Sequence, residues 1–544
     1  MIEPWMFWVT TAVYIAITLF LAYLGWKKTK SHEDFLIAGR KVNPLIIGLS
    51  YGATFISTSA IVGFGGVAAQ LGEGLIWLTV LNISIGILLA FILYGKRARA
   101  IGQSLKAVTF PDLVGKRFNS NFIQYTCSVI ILLSMPLYAS AVLIGGAQFI
   151  KETLEVPYEY ALIGFAIITA AYVITGGLLA VMYTDAFQGA IMMFGMTTIL
   201  ILTFVALGGV FDANQALTNL PSQIPASSTA ALASKGWTGW TSMPDLGSPI
   251  WYQMVTTIIL GVGIGVLAQP QLVVRFMTAK DNKSLNRAVP IGSIFILLMT
   301  GVAFTAGALT NVYFWQHFGN IAWTPDGVSG GMTHNVDEII PIYINDSMPP
   351  FIVIIFMLTL LAAAMSTLSA IFHTMGSAAG YDLWTQIKRS SNRRKNIKAE
   401  GKPASSLRAN KVGTMIMIVA SIGLAFIMPS NIIAKATAMF MGLCAAAFLP
   451  MYTHGLFSKR LSRIGAIFSL VVGALTWFIW SAFIQADIAK RIGLCQAIFG
   501  KPSLAGAPWN VIDPLVIAVP ASILALAIGW YVEFGVMKKK TSPA

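Results

Sequence analysis

Residues 45–72 read LIIGLSYGATFISTSAIVGFGGVAAQLG, a stretch long and apolar enough to cross a membrane but interrupted at mid-length. The interruptions are five hydroxyl side chains followed by three glycines: Ser50, Thr54, Ser57, Thr58, Ser59, Gly63, Gly65 and Gly66. Backbone that leaves the helical pattern at membrane depth is tolerated only where it lines a cavity or meets protein partners. The stretch therefore favours a broken membrane helix beside a cavity, although glycines can also simply let two helices pack closely.

A second stretch of this kind covers residues 256–276 and reads TTIILGVGIGVLAQPQLVVRF. Its three glycines, Gly261, Gly263 and Gly265, precede the pair Gln269–Pro270. Each of the two stretches begins a possible unit of five apolar segments. Glycine- or proline-interrupted helices at matching places in two halves of a chain are typical of inverted-repeat transporters.

The composition is that of a membrane protein, because 56% of the 544 residues are hydrophobic and only 10% are charged. Soluble domains carry about 25% charged residues. We predict an all-α polytopic membrane protein with about thirteen transmembrane helices. The apolar segments are 5–26, 45–72, 74–94, 122–150, 158–181, 185–208, 250–274, 288–311, 350–384, 412–429, 431–453, 464–484 and 512–534.

These segments predict five regions along the chain. An N-terminal transmembrane helix and a cytoplasmic loop (1–44) precede the first five-helix inverted repeat (45–208). An extracellular loop (209–249) leads to the second repeat (250–453), and two transmembrane helices complete the chain (454–544).

The net charge of +15 bears on topology. A nucleic-acid partner would require basic residues clustered on a soluble face, whereas here they lie between the apolar segments. Positively charged loops stay in the cytoplasm. With the N-terminus outside and the C-terminus cytoplasmic, 30 of the 36 Lys and Arg residues fall on the cytoplasmic side. We expect a multi-pass protein of the plasma or inner membrane with no nucleic-acid partner and no obligate protein partner.

Motifs for catalysis or ATP use are not evident in the sequence. The three cysteines are too few and too scattered for a disulfide framework or a metal site. No GxxxxGK[ST] loop occurs, and the apolar segments hold no nucleophile, base or metal constellation. An enzyme is therefore disfavoured.

Asp185, within MYTDAFQ at the predicted turn into the sixth segment, is the ionisable residue nearest the predicted membrane core. A carboxylate at membrane depth is a functional candidate by default, because burying its charge is unfavourable. Aspartate is also a common N-cap residue. The residues alone leave both roles open.

Three hydroxyl side chains also interrupt the segment 350–384, in AAAMSTLSA. Ala363, Ser366 and Thr367 share one helix face at positions i, i+3 and i+4, and Ser369 falls beside Ser366. Such hydroxyls commonly bond to a carbonyl of their own or of a neighbouring helix. Opposite carbonyls freed by a broken helix, they would instead complete an oxygen site for a sodium ion.

The chain resembles the sodium:solute symporter family, which includes bacterial proline, pantothenate, sialic acid and sugar symporters. The resemblance begins at DFLIAGRKVNP (34–44) and extends to the last segment. Four further motifs follow in the family's order: YVITGGLLAVMYTDAFQ (172–188), AQPQLVVRFMTAKD (268–281), AAAMSTLSA (362–370) and GLFSKRLSRIGAIFSLVVGAL (455–475).

This resemblance implies a LeuT-like fold of two inverted repeats with flanking helices, and solute uptake coupled to sodium by alternating access. In the family's main sodium site, two carbonyls of the first broken helix meet one carbonyl and two hydroxyls of the eighth core helix. In this sequence they are the carbonyls of Ala53, Ile56 and Ala363 and the hydroxyls of Ser366 and Thr367. Sodium is the co-transported ion that the resemblance implies, and the only metal.

In some members of the family a second sodium ion binds, at positions that match Asp185, Ser366 and Ser369. Ala370 stands where those members have a further hydroxyl. That substitution argues against a second sodium in this chain.

Departures from the family pattern concern the solute. Proline symporters carry an aspartate where Phe55 stands and aromatic residues where Val262 and Val266 stand, so proline is disfavoured. The predicted cavity has no charged residue at its centre and consists of Ser57, Thr58, Ser59, Asn82, Tyr138, Val262, Val266 and Gln269. Beside a sodium ion and helix N-termini, such a cavity favours a monoanion with an apolar body. We predict a monocarboxylate or a pantothenate-like acid.

Other functions remain open at this point. A sodium-coupled amino acid or sugar symporter would share the same fold and the same sodium site. A passive channel would need a continuous polar pore, for which polar residues are too sparse. A membrane sensor would need a signalling domain, which is not evident after the last segment.

Overall fold

The computed structural model describes residues 4–385, 387, 403–429 and 431–537, and these residues are almost entirely helical. The predicted all-α membrane architecture is confirmed. Stretches of π-helix interrupt several of the long helices, among them Ser84–Gly95 and Gln253–Leu260.

The α-helices of the first half are α1 (Pro4–Lys28), α2 (His32–Ile37), α3 (Pro44–Phe55), α4 (Phe64–Leu71), α5 (Ile76–Ile83), α6 (Lys96–Ser104), α7 (Phe110–Arg117), α8 (Asn121–Leu154), α9 (Tyr158–Ala206), α10 (Val210–Asn219), α11 (Ala226–Ala233), α12 (Pro249–Tyr252), α13 (Gly261–Gly265) and α14 (Pro270–Thr278). Those of the second half are α15 (Asn282–Ile296), α16 (Val302–Phe318), α17 (Ile339–Ser347), α18 (Pro350–Ser377), α19 (Pro403–Ile427), α20 (Ile433–Leu443), α21 (Leu449–Phe457), α22 (Arg463–Phe483), α23 (Ala486–Ile492), α24 (Leu494–Phe499) and α25 (Pro514–Tyr531). Two short parallel strands are β1 (Ile321–Trp323) and β2 (Gly331–Thr333).

Eleven of the described helices are long and apolar enough to span a membrane. The pair Pro44–Phe55 and Ser59–Leu71, bent by 54°, makes one more span. Twelve of the thirteen predicted segments therefore have a counterpart of full length. The remaining one, 158–181, is represented by the shorter apolar helix Tyr158–Ile167.

The predicted turn at residues 182–184 is wrong, because the chain turns earlier. Helix α9 breaks at Gly177, where φ is 67° and ψ is 177°. A positive φ of this size favours glycine, which has no Cβ to clash with the backbone. Asp185 therefore lies about two turns inside the helix that follows, which excludes the N-cap role that the residues alone left open.

The predicted break in residues 45–72 is confirmed, and it falls ahead of the glycines. Helix α3 ends at Phe55, and Ile56 is extended with φ −90° and ψ 114°. The glycines lie within the helix that resumes beyond the break, where Gly66 lies against the carbonyl of Val336. They allow close packing and do not form the break.

The second glycine-rich stretch remains helical through its glycines. Its interruption comes at Gln269, which is extended with φ −67° and ψ 121° just before Pro270. A Cβ on Gly263 would lie 2.8 Å from the side chain of Leu81, and Gly265 lies against the carbonyl of Met441. The interruption expected in this stretch therefore falls at Gln269–Pro270, and the glycines instead let neighbouring helices approach closely.

The broken span lies at the centre of the bundle. Helix α18 packs on α9, α8 and α3, and α4 packs on α16. The connections 209–249 and 319–349 fold over the end of α4. The indole nitrogen of Trp240 donates to the carbonyl of Ala69 at 2.8 Å, which ties the first of these connections to that helix.

Candidate functional site

The break after α3 exposes backbone carbonyls to the hydroxyl face of α18. The Ser366 hydroxyl lies 2.8 Å from the Ala53 carbonyl oxygen and 3.1 Å from that of Ala363. The Thr367 hydroxyl lies 3.1 Å from the carbonyl oxygen of Thr54 and 3.4 Å from those of Ala53 and Ile56. The structure thus brings together all five residues that the sequence singled out for sodium.

The oxygen cluster of Ala53, Ile56, Ala363, Ser366 and Thr367 consists of neutral oxygens only. Ser366 and Thr367 are fully buried. Hard cations prefer oxygen ligands, and unwound carbonyls at a helix break are a recurrent way to bind sodium in transporters. The chemistry of this donor set therefore fits a monovalent hard cation.

Asp185 forms a buried ion pair with Arg275, which directly follows the predicted segment 250–274 and is therefore expected at the cytoplasmic end of that segment. The guanidinium Nη2 lies 2.9 Å from the carboxylate Oδ2, and both side chains are at most 1% exposed. Ser50 and Thr54 donate to the same oxygen at 2.7 and 3.2 Å. A buried ion pair is favourable only when further hydrogen bonds support it, as they do here.

Arg275 is a buried charge that the sequence did not predict. Arg275 directly follows the long apolar segment 250–274. In a sequence, an arginine at that position indicates the start of a loop. Its burial is explained by the ion pair with the Asp185 carboxylate, which compensates the buried positive charge. Asp185 of α9 and Arg275 of α14 both bond to Ser50 of α3, so the ion pair links these three helices beside the oxygen cluster.

Ser369 lies between the oxygen cluster and this ion pair. Its hydroxyl is 3.0 Å from the Ser366 carbonyl oxygen and 3.4 Å from the Asp185 carboxylate Oδ1. The three residues matched to a second sodium site are therefore neighbours. Arg275 already contacts the other carboxylate oxygen.

A small internal cavity of about 20 Å³ adjoins the break. Four of the eight predicted cavity residues line it: Ser57, Asn82, Tyr138 and Val262. Its remaining lining comes from residues that the prediction did not include: Phe55, Ile56, Ala60, Phe64, Leu78, Thr300, Phe304, Thr437 and Met441. The described lining has no charged side chain.

The other four predicted cavity residues, Thr58, Ser59, Val266 and Gln269, are buried outside this lining. Thr58 donates to the carbonyl of Val142 at 2.8 Å, and Gln269 accepts from Gln271 at 2.5 Å. The first contact ties the broken span to α8, and the second is local to the start of α14. Hydroxyl and amide side chains in a broken helix are not all directed into the cavity, because some satisfy the backbone around it.

The oxygen cluster and the cavity share the break. Ile56 contributes its carbonyl to the cluster, while Ile56 and Ser57 also line the cavity. A cation held by the cluster would therefore lie beside a solute held in the cavity. This is the arrangement that coupled binding of the two requires.

The connection 319–349 covers the N-terminal end of α20, the helix that contributes Thr437 and Met441 to the cavity. The Asp337 carboxylate accepts from the backbone N–H groups of Ile432 and Ile433 at 3.1 and 3.4 Å, at the N-terminus of that helix. Burial raises the pKa of Asp337 to about 6, although these two hydrogen bonds oppose the shift.

Comparison with known proteins gives a consistent result. A model of the sodium:solute symporter family matches residues 35–473. The sodium/proline symporter of Escherichia coli (strain K12) is 25% identical over 484 residues, which cover 87% of this chain and 88% of that protein. The sodium/pantothenate symporter of Haemophilus influenzae is 26% identical over 475 residues, 85% of this chain and 87% of that protein.

The fold also has a known counterpart. The chain superposes on a substrate-bound, outward-open Na⁺-coupled sialic acid symporter with a TM-score of 0.72 and 17% identity, over 96% of each chain. The LeuT-like fold that the sequence resemblance implies is confirmed.

Proposed function

The chain belongs to the sodium:solute symporter family, and from that membership we propose the solute that it carries and the residues that bind sodium. Its activity is sodium-coupled secondary transport, and it is not an enzyme. The solute that we propose is a small monocarboxylate, carried by alternating access.

The cavity carries this proposal, because it has no charged side chain among its described lining and adjoins the oxygen cluster. A sodium ion in the cluster brings one positive charge into a buried site. Burying an unpaired charge is unfavourable, and a carboxylate would neutralise it. The helix that restarts after Ser57 also directs its N-terminus towards this region, which favours an anion.

Relatives alone do not decide between an acid and proline, since the proline and pantothenate symporters are 25% and 26% identical to this chain. Phe55 and Val262 are two of the positions at which the resemblance to the proline members fails. Both line the cavity. We therefore favour a monocarboxylate or a pantothenate-like acid, with a sodium-coupled amino acid as the second candidate.

For sodium we propose the carbonyls of Ala53, Ile56 and Ala363 and the hydroxyls of Ser366 and Thr367 as ligands. The contacts of 2.8 to 3.4 Å among these groups support the proposal. Sodium would then bridge the broken span and α18, and stabilise one arrangement of the two.

We propose one sodium ion per transport cycle. The match of Asp185, Ser366 and Ser369 to a second sodium site is weakened by Arg275, whose guanidinium lies 2.9 Å from the carboxylate. A second cation would have to share that carboxylate with the guanidinium, at close range and in a medium of low dielectric constant.

We also propose two inverted repeats, 45–208 and 250–453, with the N-terminus outside and the C-terminus in the cytoplasm. The 30 of 36 basic residues on the proposed cytoplasmic side support this orientation.

Thiol labelling of intact cells tests the orientation, because all three native cysteines are buried. An impermeant maleimide should label Ser234→Cys without permeabilisation and Ser104→Cys only after it. The reverse pattern would show that the orientation is inverted.

Purified protein in proteoliposomes tests the proposed solute. An inward sodium gradient should drive accumulation of small monocarboxylates or of pantothenate, and an equal potassium gradient should not. Proline and glucose should accumulate at least about tenfold less, because neither brings a net negative charge to balance sodium. Sodium-driven accumulation of proline or glucose without any acid would refute the monocarboxylate proposal and leave sodium coupling intact.

Sodium titrations of uptake test the proposed ligands. Ser366→Ala and Thr367→Val should each weaken the apparent sodium affinity by roughly 10- to 100-fold, since a hydrogen-bonding partner of a charged group contributes about 1.5–3 kcal/mol. Thr367→Ser should retain most of the affinity, because it keeps the hydroxyl. The wild-type titration should have a Hill coefficient near 1, as one sodium ion requires.

Ser481→Ala is the matched control for these variants. It removes a buried hydroxyl from α22 that has no hydrogen-bond partner among the described residues and is not part of the cluster. Normal sodium affinity in both Ser366→Ala and Thr367→Val would contradict the proposal that these hydroxyls bind sodium, and would leave them a role in helix packing. A Hill coefficient near 2 would contradict the single-ion proposal.

A further inference from the structure

The cavity wall contains buried polar atoms that the protein itself leaves unsatisfied. Asn82 Oδ1 and the Tyr138 hydroxyl both line the cavity, and neither has a hydrogen-bond partner among the described residues. The two residues are at most 1% exposed. Most buried polar groups in proteins are hydrogen-bonded, so an unsatisfied pair facing a cavity indicates groups that a ligand satisfies.

The hydroxyl protons of two threonines in the same wall are already donated to backbone carbonyls. Thr300 donates to the Ile296 carbonyl and Thr437 to the Ile433 carbonyl, each at 2.9 Å along its own helix. Each hydroxyl oxygen keeps free lone pairs but no proton to offer. Together with Asn82 Oδ1, the wall therefore has three oxygens that can accept from the solute, and of these three only Asn82 Oδ1 has no hydrogen-bond partner among the described residues.

The part of the wall near the break offers hydrogen-bond donors, in contrast to these acceptors. Ser57 Oγ accepts from the Ser59 N–H at 3.1 Å, which leaves the Ser57 proton available for donation. The Tyr138 hydroxyl also has its proton available. A carboxylate can accept from such donors, but it has no hydrogen to give to the three acceptors.

We propose that the solute is a hydroxylated monocarboxylate and that Asn82 is a specificity-determining residue that accepts a hydrogen bond from the solute's hydroxyl group. This inference rests on the proposed monocarboxylate function and narrows it to one chemical class. In this arrangement the carboxylate of the solute lies towards the break and the proposed sodium ion. A hydroxyl group of the solute donates to Asn82 Oδ1.

An amino group would also supply a donor, but it would bring a second positive charge into a cavity that already adjoins sodium. The described lining has no carboxylate to balance it. An unsubstituted acid would leave Asn82 unsatisfied. A site built to hydrogen-bond a hydroxyl strongly rejects the analogue that lacks it.

Paired substrates test this inference in proteoliposomes with a fixed sodium gradient. Each pair consists of a monocarboxylate of three to five carbons and the same acid with a hydroxyl at carbon 2, 3 or 4. For at least one hydroxyl position, the wild type should transport the hydroxy acid about 10- to 100-fold better in Vmax/KM than its unsubstituted partner. The corresponding 2-amino acids should be transported no better than the unsubstituted acids.

The variant Asn82→Leu should reduce that preference to within about threefold, mainly by raising KM for the hydroxy acid while unsubstituted acids are still carried. Thr79→Val is the matched control. Thr79 is one turn away on the same helix, is also buried and unpartnered among the described residues, and does not line the cavity. It should leave the preference unchanged.

The outcomes separate the two proposals. Equal transport of both members of every pair by the wild type would overturn the hydroxyl requirement while upholding monocarboxylate transport. An unchanged preference in Asn82→Leu would remove Asn82 from its proposed role. If Asn82→Leu fails to fold, the wild-type ratio and Asn82→Ala decide in its place. Transport of amino acids with no acid transported at all would overturn both proposals.

Discussion

The structure depends on a contact between two hydroxyls and a broken backbone. A helix that stops inside a membrane exposes carbonyls that lipid cannot satisfy. Ser366 and Thr367 of α18 lie within hydrogen-bond distance of those carbonyls, at Ala53, Thr54 and Ile56. The break can therefore exist only while α18 lies against it, and a cation that takes over these oxygens stabilises the same arrangement. If sodium binds as proposed, its binding and the shape of the cavity wall are coupled for this reason.

The two halves of the broken span have different partners. The first half, α3, is tied to α9 and α14 through the ion pair of Asp185 and Arg275 and the hydroxyl of Ser50. The second half is held by α16 and by the connections that fold over its end, among them the contact of Gly66 with Val336. Relative movement of these two groups of helices would alter the carbonyl positions at residues 56–57. This gives the alternating-access proposal a physical hinge at the place where sodium and solute are proposed to meet.

Features that depend on local composition could be predicted from the sequence. Hydropathy alone located twelve of the thirteen segments, and hydroxyl spacing together with the family resemblance brought the five residues of the oxygen cluster into one group. The missed features depend on tertiary contacts. Arg275 could be recognised as buried only with its carboxylate partner in view, and the turn at Gly177 had no polar loop to mark it. Glycines at 261–265 pack against neighbours that no local pattern reveals. Four of the eight predicted cavity residues lie outside the lining for a similar reason, because helix rotation decides which side chains face inward.

The most direct measurement of the central claim is the reciprocal coupling between sodium and solute in purified protein. Binding of the transported acid should be titrated at several sodium concentrations, and binding of sodium should be titrated with and without saturating acid. If the ion and the solute share the break, sodium should raise the solute affinity at least about tenfold, and the solute should raise the sodium affinity by the same factor. Solute affinity that does not change between sodium and potassium would contradict the account.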